Sequence, residues 1–233
     1  MIELTPAEWE ALRLSVRVAF WSMVVSLPFA VAVAWLLARC EFPGKIVLNG
    51  LVHLPLVMPP VVTGYLLLIV FGTKGPVGAW LEQTFGIVFA FRWTGAVIAA
   101  AVMGFPLMVR AIRLSIEAVD RRLEATAGTL GANRALVFAT VTLPLILPGI
   151  LAGAILSFAK GMGEFGATIT FVSNIPGETR TIAIAIHTLL QIPGGEAAAM
   201  RLTIIAVAVS MLALAGSELL ARRMTRRIRG HDA

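Results

Sequence analysis

The chain has 233 residues, 58% hydrophobic and 14% charged, with a mean hydropathy of +0.90. Soluble domains of this size carry about 25% charged and about 45 to 50% apolar residues, so water is not the only solvent of this chain. The formal charge is +6, but the basic residues lie between long apolar runs and in a C-terminal cluster. That is the pattern of loops at an anionic membrane surface, not of a nucleic-acid groove. One cysteine, Cys40, excludes an internal disulfide and a cysteine zinc cluster, and His53, His187 and His231 form no HExxH pair. Lys45, Lys74 and Lys160 are followed by Ile46, Gly75 and Gly161, so none closes a GxxxxGK[ST] loop. A zinc hydrolase is disfavoured, the chain has no P-loop with which to hydrolyse nucleotide, and no catalytic or metal-binding residue is expected.

A membrane helix needs about 20 mostly apolar residues. In chain order the runs 18–38, 46–71, 94–112, 135–159 and 202–221 meet that need, which predicts an all-α polytopic membrane protein with about five transmembrane helices in a single domain over 1–233. The first run is too long for a signal-peptide core and follows acidic Glu3, Glu8 and Glu10, so it reads as a retained anchor. Between the fourth and fifth runs, 161–201 is of mixed character; 181–190 is apolar but too short to cross, and reads as a surface helix or a re-entrant segment. Arg110, Arg113, Arg121, Arg122 and Arg134 form one basic cluster, and Arg222, Arg223, Arg226, Arg227 and Arg229 of the tail 222–233 form another. Positive loops stay in the cytoplasm, so an even number of spans separates the two clusters. Five spans then put the N-terminus outside and the C-terminus inside, with 12 of the 19 Lys and Arg on the inner side.

A near-repeat runs through the second and fourth spans. Leu54-Pro55-Leu56, Pro59 and Gly64 recur 89 residues later as Leu143-Pro144-Leu145, Pro148 and Gly153. Proline removes a helical hydrogen bond, so both copies read as candidate breaks near the inner side.

The segment between the third and fourth spans, about 120–132, reads as a short helix at the water boundary. Glu124, Ala127 or Gly128, and Gly131 share one face at helical spacing. Small residues on that face admit a close partner, and Gly131 can end the helix in a left-handed conformation. The pattern alone equally allows an amphipathic helix lying on lipid. Glu124 to Ala132, continued by Phe138 and Val141-Thr142-Leu143-Pro144, resembles the cytoplasmic EAA signature of ABC-importer permeases, departing where its alanine pair reads Thr126-Ala127. The resemblance implies the type I ABC-importer permease fold and a coupling helix that docks on a separate cytoplasmic ATPase. Glu124, Ala127, Gly128, Gly131 and Ala132 would form the coupling element.

A second stretch narrows the family. Gly163-Glu164-Phe165-Gly166-Ala167-Thr168-Ile169-Thr170-Phe171, with Ser173-Asn174-Ile175-Pro176-Gly177-Glu178-Thr179-Arg180 and Pro193-Gly194-Gly195-Glu196, is similar to the corresponding run of molybdate-transporter permeases, and the likeness extends from about Leu14 to Ala221. It implies a homodimer in the bacterial plasma membrane, an external or periplasmic molybdate-binding protein, and ATP and Mg held by the ATPase with no cofactor on this chain. Tungstate and sulfate, also tetrahedral dianions, stay open as substrates.

An oxyanion crosses only where donors replace its water. Lys160, Gly163, Glu164, Phe165, Gly166, Asn174 and Arg180 are the candidates for a path or gate: glycines bring backbone N–H groups close to an anion, and Lys160 and Arg180 add positive potential. Glu164 repels an anion, so it is expected to be paired or to fix a helix end. Lys160 and Glu164, four apart, can equally pair with each other at the interface, and Arg180 can equally be a solvated charge or a contact for the binding protein. His53 reads as an interfacial or entrance residue and His187 as structural; the five tryptophans mostly flank span ends. An ion-coupled secondary transporter is the rival reading. It needs intramembrane ionisable residues, and the spans offer few.

Overall fold

A computed structural model describes residues 4–229, with side chains through 216 and at Leu219. The helices, in order, are α1 (Pro6–Arg39), α2 (Lys45–Val57), α3 (Pro60–Phe71), α4 (Pro76–Phe85), α5 (Trp93–Glu117), α6 (Arg121–Thr129), α7 (Arg134–Val137), α8 (Leu143–Met162), α9 (Gly166–Val172), α10 (Ile182–Leu189) and α11 (Glu196–Arg229). Phe138–Thr142 forms a π-helical turn that joins α7 to α8. No strand occurs among the described residues. The end of the tail, residues 230–233, lies outside the described residues.

α1, α5 and α8 form the centre, with α11 on the α8 side and the α2–α3 pair on the other. Apolar side chains give helices in lipid little reason to associate, so packing falls to small residues that let backbones approach. On α1 the buried Ala11, Ser15, Ala19, Ser22, Ser26, Ala30 and Ala34 recur every three or four residues along one stripe. On α8, Gly149, Gly153, Ser157 and Gly161 recur every four. A Cβ at Gly153 would stand 3.0 Å from the Met108 carbonyl, and one at Gly161 3.3 Å from the Ala19 Cα. Large apolar side chains such as Phe20, Phe29, Val57 and Leu212 are exposed on the outside of the bundle.

The helices exceed the apolar runs that announced them. α1 begins at Pro6, twelve residues before 18, because Thr5 and Glu8 form a reciprocal capping box and Pro6 suits the first helical position. Its 34 residues measure about 50 Å, longer than a bilayer core. α5 runs on to Glu117, and the fourth span occupies 134–162. The stretch 181–190 is a short helix, α10, whose Ile182, Ile184 and Ala185 are buried, with contacts to α1 and α11. It crosses nothing.

The run 46–71 departs most from expectation. It is two helices bent by 114° at Met58-Pro59. Both residues precede a proline, which disfavours the helical region for each of them; they adopt φ −75°, ψ 146° and φ −54°, ψ 131°. α2 begins near the Arg39 end of the bundle, where Asn49 accepts a hydrogen bond from Arg113. α3 ends at the opposite end, with Phe71 edge-to-face on Phe89 just before α5. The pair therefore carries the chain from one end of the bundle to the other as a broken span. The second copy of the near-repeat behaves differently: Pro144 sits in the first turn of α8, and the helix continues through Pro148. The two copies share sequence but not geometry. An apolar cavity of about 430 Å³, walled by Phe29, Val52, Pro55 and Phe105 among others, lies between α1, α2 and α5.

Candidate coupling element and translocation path

α6 is built to stand alone in water. Asp120 caps its N-terminus through the Arg122 N–H at 2.9 Å. At its C-terminus Gly131 takes φ +88°, its N–H donates to the Gly128 carbonyl and that of Ala132 to the Ala127 carbonyl. These two bonds are a Schellman stop, the left-handed ending expected of Gly131. No residue of α6 is buried.

The faces divide in a way that spacing alone did not reveal. Glu124, Gly128 and Ala132 turn toward the bundle and line a cavity of about 290 Å³ with Trp35, Arg134, Val137, Phe138 and Thr142. Leu123, 50% exposed, and Leu130, 84% exposed, project on another side with Ala127 between them. Glu124 Oε1 accepts from Arg39 Nη2 at 3.0 Å and from Thr142 Oγ at 2.7 Å. The Arg39 and Glu124 side chains are only 11% and 21% exposed. The residue expected to meet a partner thus ties α6 to the end of α1 and to the π turn. Arg39 also faces the Trp35 ring, which packs edge-to-face on Phe138. Sequence reasoning missed Arg39, Thr142, Leu123 and Leu130. The leucines were visible as apolar residues in a polar helix; the pairing of residues 85 apart left no local signal.

At the other candidate site, Lys160 Nζ donates to Glu164 Oε2 at 2.7 Å, and Glu164 Oε1 accepts from the Ala167 N–H at 3.1 Å. Glu164 is 2% exposed. It is therefore both paired and set at the start of α9, the two roles expected for a carboxylate that cannot hold an anion. Gly163 is exposed, with open space where a side chain would be. Gly166 faces Pro60: a Cβ there would lie 2.8 Å from the proline Cβ, and one at Gly64 would lie 2.5 Å from the Ala167 carbonyl. These glycines let α9 rest directly on α3, next to the break. Phe165 packs against His187 with ring centroids 4.9 Å apart and the planes tilted by 48°; His187 is exposed at the end of α10. His53 bonds the Asn49 carbonyl in its own helix.

Asn174 and Arg180 lie beyond α9, in a loop at the Trp93 end. Asn174 donates to Thr188 Oγ at 2.9 Å and accepts from Arg180 Nε at 2.8 Å. Thr179 Oγ bridges the Ser173 carbonyl and the Ile175 N–H, while the Ile175 carbonyl accepts three successive N–H groups. Gly177 takes φ +79° in that turn. The Asn-Ile-Pro-Gly-Glu-Thr-Arg run is thus a self-bonded loop that fixes Arg180, apart from the Lys160–Glu164 pair but joined to it through α10. Arg180 borders a cavity of about 210 Å³ with Glu8 and Arg201. The buried Glu8 carboxylate accepts from Arg201 at 2.9 Å, joining the start of α1 to α11, and the Arg17 guanidinium stacks 3.7 Å from the Trp93 ring. Neither contact was expected, although Thr5-x-x-Glu8 is a legible capping box.

A broken span, an exposed helix between two spans and a polar junction after the fourth describe a transport subunit more closely than any enzyme. The family described as binding-protein-dependent transport system inner membrane component matches residues 26–229. The chain belongs to that family. The permease component is 61% identical over 219 residues to the molybdenum transport system permease protein ModB of Escherichia coli strain K12, covering 94% of this chain and 96% of that one. It is 54% identical over 221 residues to ModB of Haemophilus influenzae, covering 95% and 96%. Among solved structures, a bacterial ABC transporter that imports the acidic polysaccharide alginate superposes with a TM-score of 0.75 at 18% identity, over 95% of this chain and 81% of that one. The fold is that of the type I ABC-importer permeases. The chain is a multi-pass inner-membrane component of a binding-protein-dependent transport system.

Proposed function

We propose that this chain is the membrane subunit of an ATP-driven importer of molybdate. Two copies would enclose the path, an ATPase carrying ATP and Mg would dock on α6 from the cytoplasm, and a molybdate-binding protein would deliver the anion to the Trp93 end. The observation that carries this reading is α6: a fully capped, water-exposed helix with two outward leucines, tied by Glu124 to two of the spans. Such a helix receives force that a chain without a nucleotide site cannot generate. The two relatives above are permeases of molybdenum transport systems, and the oxyanion form of that element, molybdate, is the cargo this reading assigns.

The orientation follows from charge. With α6 in the cytoplasm, the basic clusters at 110–134 and 222–229 lie inside, as positive-inside topology requires, and the N-terminus lies outside. Two copies are needed because a dianion must meet polar groups on every side, and one chain offers only one Lys160–Glu164 junction and one broken span. Gly163, Phe165, Gly166, Asn174 and Arg180 would border the path or its gate.

The test is uptake of radiolabelled molybdate into proteoliposomes holding this chain, its ATPase and the binding protein. Uptake should require ATP and all three components. Uptake driven by an ion gradient without the ATPase refutes the reading. Stronger competition by sulfate than by tungstate reassigns the cargo.

A further inference from the structure

The Glu124 carboxylate is directed into the chain, not presented to the surroundings, and its two partners sit on different elements. Arg39 is the last residue of α1, and Thr142 is the last residue of a π-helical turn. In that turn the Leu143 N–H donates to the Phe138 carbonyl, five residues back. A π turn holds one residue more than the α-helix could place there. Reverting it to α geometry would rotate one side of the helix by about 100° relative to the other. The Thr142 hydroxyl would then leave Glu124, so the bond at 2.7 Å registers the π turn. Thr142 is itself buried, and Arg39 Nε is buried without a hydrogen-bond partner. Among the described residues the arginine is therefore held by Glu124 and lies over the Trp35 ring, with no second acceptor.

We propose that Arg39 and Thr142 are positioning residues for energy coupling: through Glu124 they gear the motion of α6 to α1 and to the π turn at the foot of α8. The inference rests on the reading that an ATPase docks on α6. It differs in where the glutamate acts, which is between parts of this chain and not across the subunit boundary. Cutting the link leaves the ATPase bound and hydrolysing while the spans cease to follow.

The experiment measures ATP hydrolysed and molybdate imported in the same proteoliposomes of the full complex. Charge reversal in Arg39→Glu or Glu124→Arg should lower molybdate imported per ATP by at least about tenfold, the scale of a lost charge-assisted hydrogen bond, with the ATPase still co-purifying. The swapped pair Arg39→Glu/Glu124→Arg should recover the ratio to within about threefold, which a contact between Glu124 and the ATPase alone would not allow. Thr142→Val, nearly isosteric and uncharged, should lower the ratio about threefold or more and guards against reversals that fail to fold. An unchanged ratio in Thr142→Val together with no recovery in the swapped pair overturns the proposal. Loss of ATPase binding in the single reversals overturns it as well, because Glu124 then serves the docking face. If the unmodified complex imports nothing, the failure belongs to the proposed function and not to the gearing.

Discussion

Gly149→Ala should destabilise the bundle although it improves the intrinsic helicity of α8. A Cβ at Gly149 would stand 1.7 Å from Ser115 Oγ and 2.4 Å from Ser115 Cβ, with the Ala111 carbonyl at 3.3 Å. The hydroxyl can rotate away. The Cβ cannot, so α5 and α8 must separate by roughly 1 Å to regain a carbon–carbon contact of about 3.5–4.0 Å. Overpacking of this kind costs about 1–3 kcal/mol, offset by the about 1 kcal/mol that alanine gains over glycine in a helix, for a net loss of up to roughly 2 kcal/mol. Ser115→Gly removes both obstructing atoms, so the pair Ser115→Gly/Gly149→Ala should be more stable than the sum of its parts by about 1–2 kcal/mol. Gly216→Ala on α11, with open space at its Cβ, is the control and should be neutral or mildly stabilising. The assay is SDS titration of the purified chain in mixed micelles, followed by circular dichroism. Additivity within about 0.5 kcal/mol, or a Gly149→Ala chain as stable as Gly216→Ala, would refute the close-packing account of the α5–α8 seam.

Gly131→Ala must hold a methyl-bearing residue at φ +88°, at about 1–2 kcal/mol; hydrogen exchange at the Gly131 and Ala132 amides should quicken at least about fivefold, with the bundle core unchanged. Leu123→Asp and Leu130→Asp leave the spans intact but place charge on the exposed side of α6. Each should weaken capture of the purified ATPase by about tenfold or more, the worth of one covered leucine, and unaltered capture would move the docking face elsewhere. Glu164→Gln keeps an acceptor for the Ala167 N–H but unpairs Lys160, whose side chain is 31% exposed. A thermal melt should show a loss of about 1–2 kcal/mol, less than a fully buried pair because water reaches the ammonium, and Lys160→Met/Glu164→Gln should recover most of it. A double variant as unstable as the single one would show that the pair is not what Glu164 serves.

Much of the coupling element was legible because its determinants are local. Asp120 and Gly131 mark the start and stop of one short helix, and each acts within a turn of its own position, whereas Glu124, expected to face a partner, reaches inward to residues 85 and 18 positions away. Lys160 and Glu164 were legible for the same reason, being one helical turn apart. The apolar runs located the spans but not their limits, since α1 and α5 continue on polar residues that hydropathy discounts. What joins distant segments was not legible: Arg39 to Glu124, Glu8 to Arg201 and Gly64 to Ala167 are tertiary choices with no periodicity of their own. The π turn is of that kind too, for Phe138–Thr142 carries no residue that forbids an α-helix. The break at Met58-Pro59 could have been read more sharply. It lies where two successive residues each precede a proline, whereas Pro148 stands alone in a helix that tolerates it.

The three partly or fully buried carboxylates described above share one property that bears on transport. Glu8, Glu124 and Glu164 each meet a cation of the same chain: Arg201, Arg39 and Lys160 at 2.9, 3.0 and 2.7 Å. Each pair also joins or ends helices: α1 to α11, α6 to α1, and α8 to the start of α9. In an importer of a dianion such pairing lowers the positive potential along the route, because conduction needs sites weak enough to release. Pairing Lys160 with Glu164 keeps the junction after α8 near neutrality while Gly163 leaves its backbone open there. On the proposed function, the anion is then met by dipoles that release it readily. The charges serve to hold the helices in register while α6 is pushed, and specificity for the cargo falls to the binding protein that presents it.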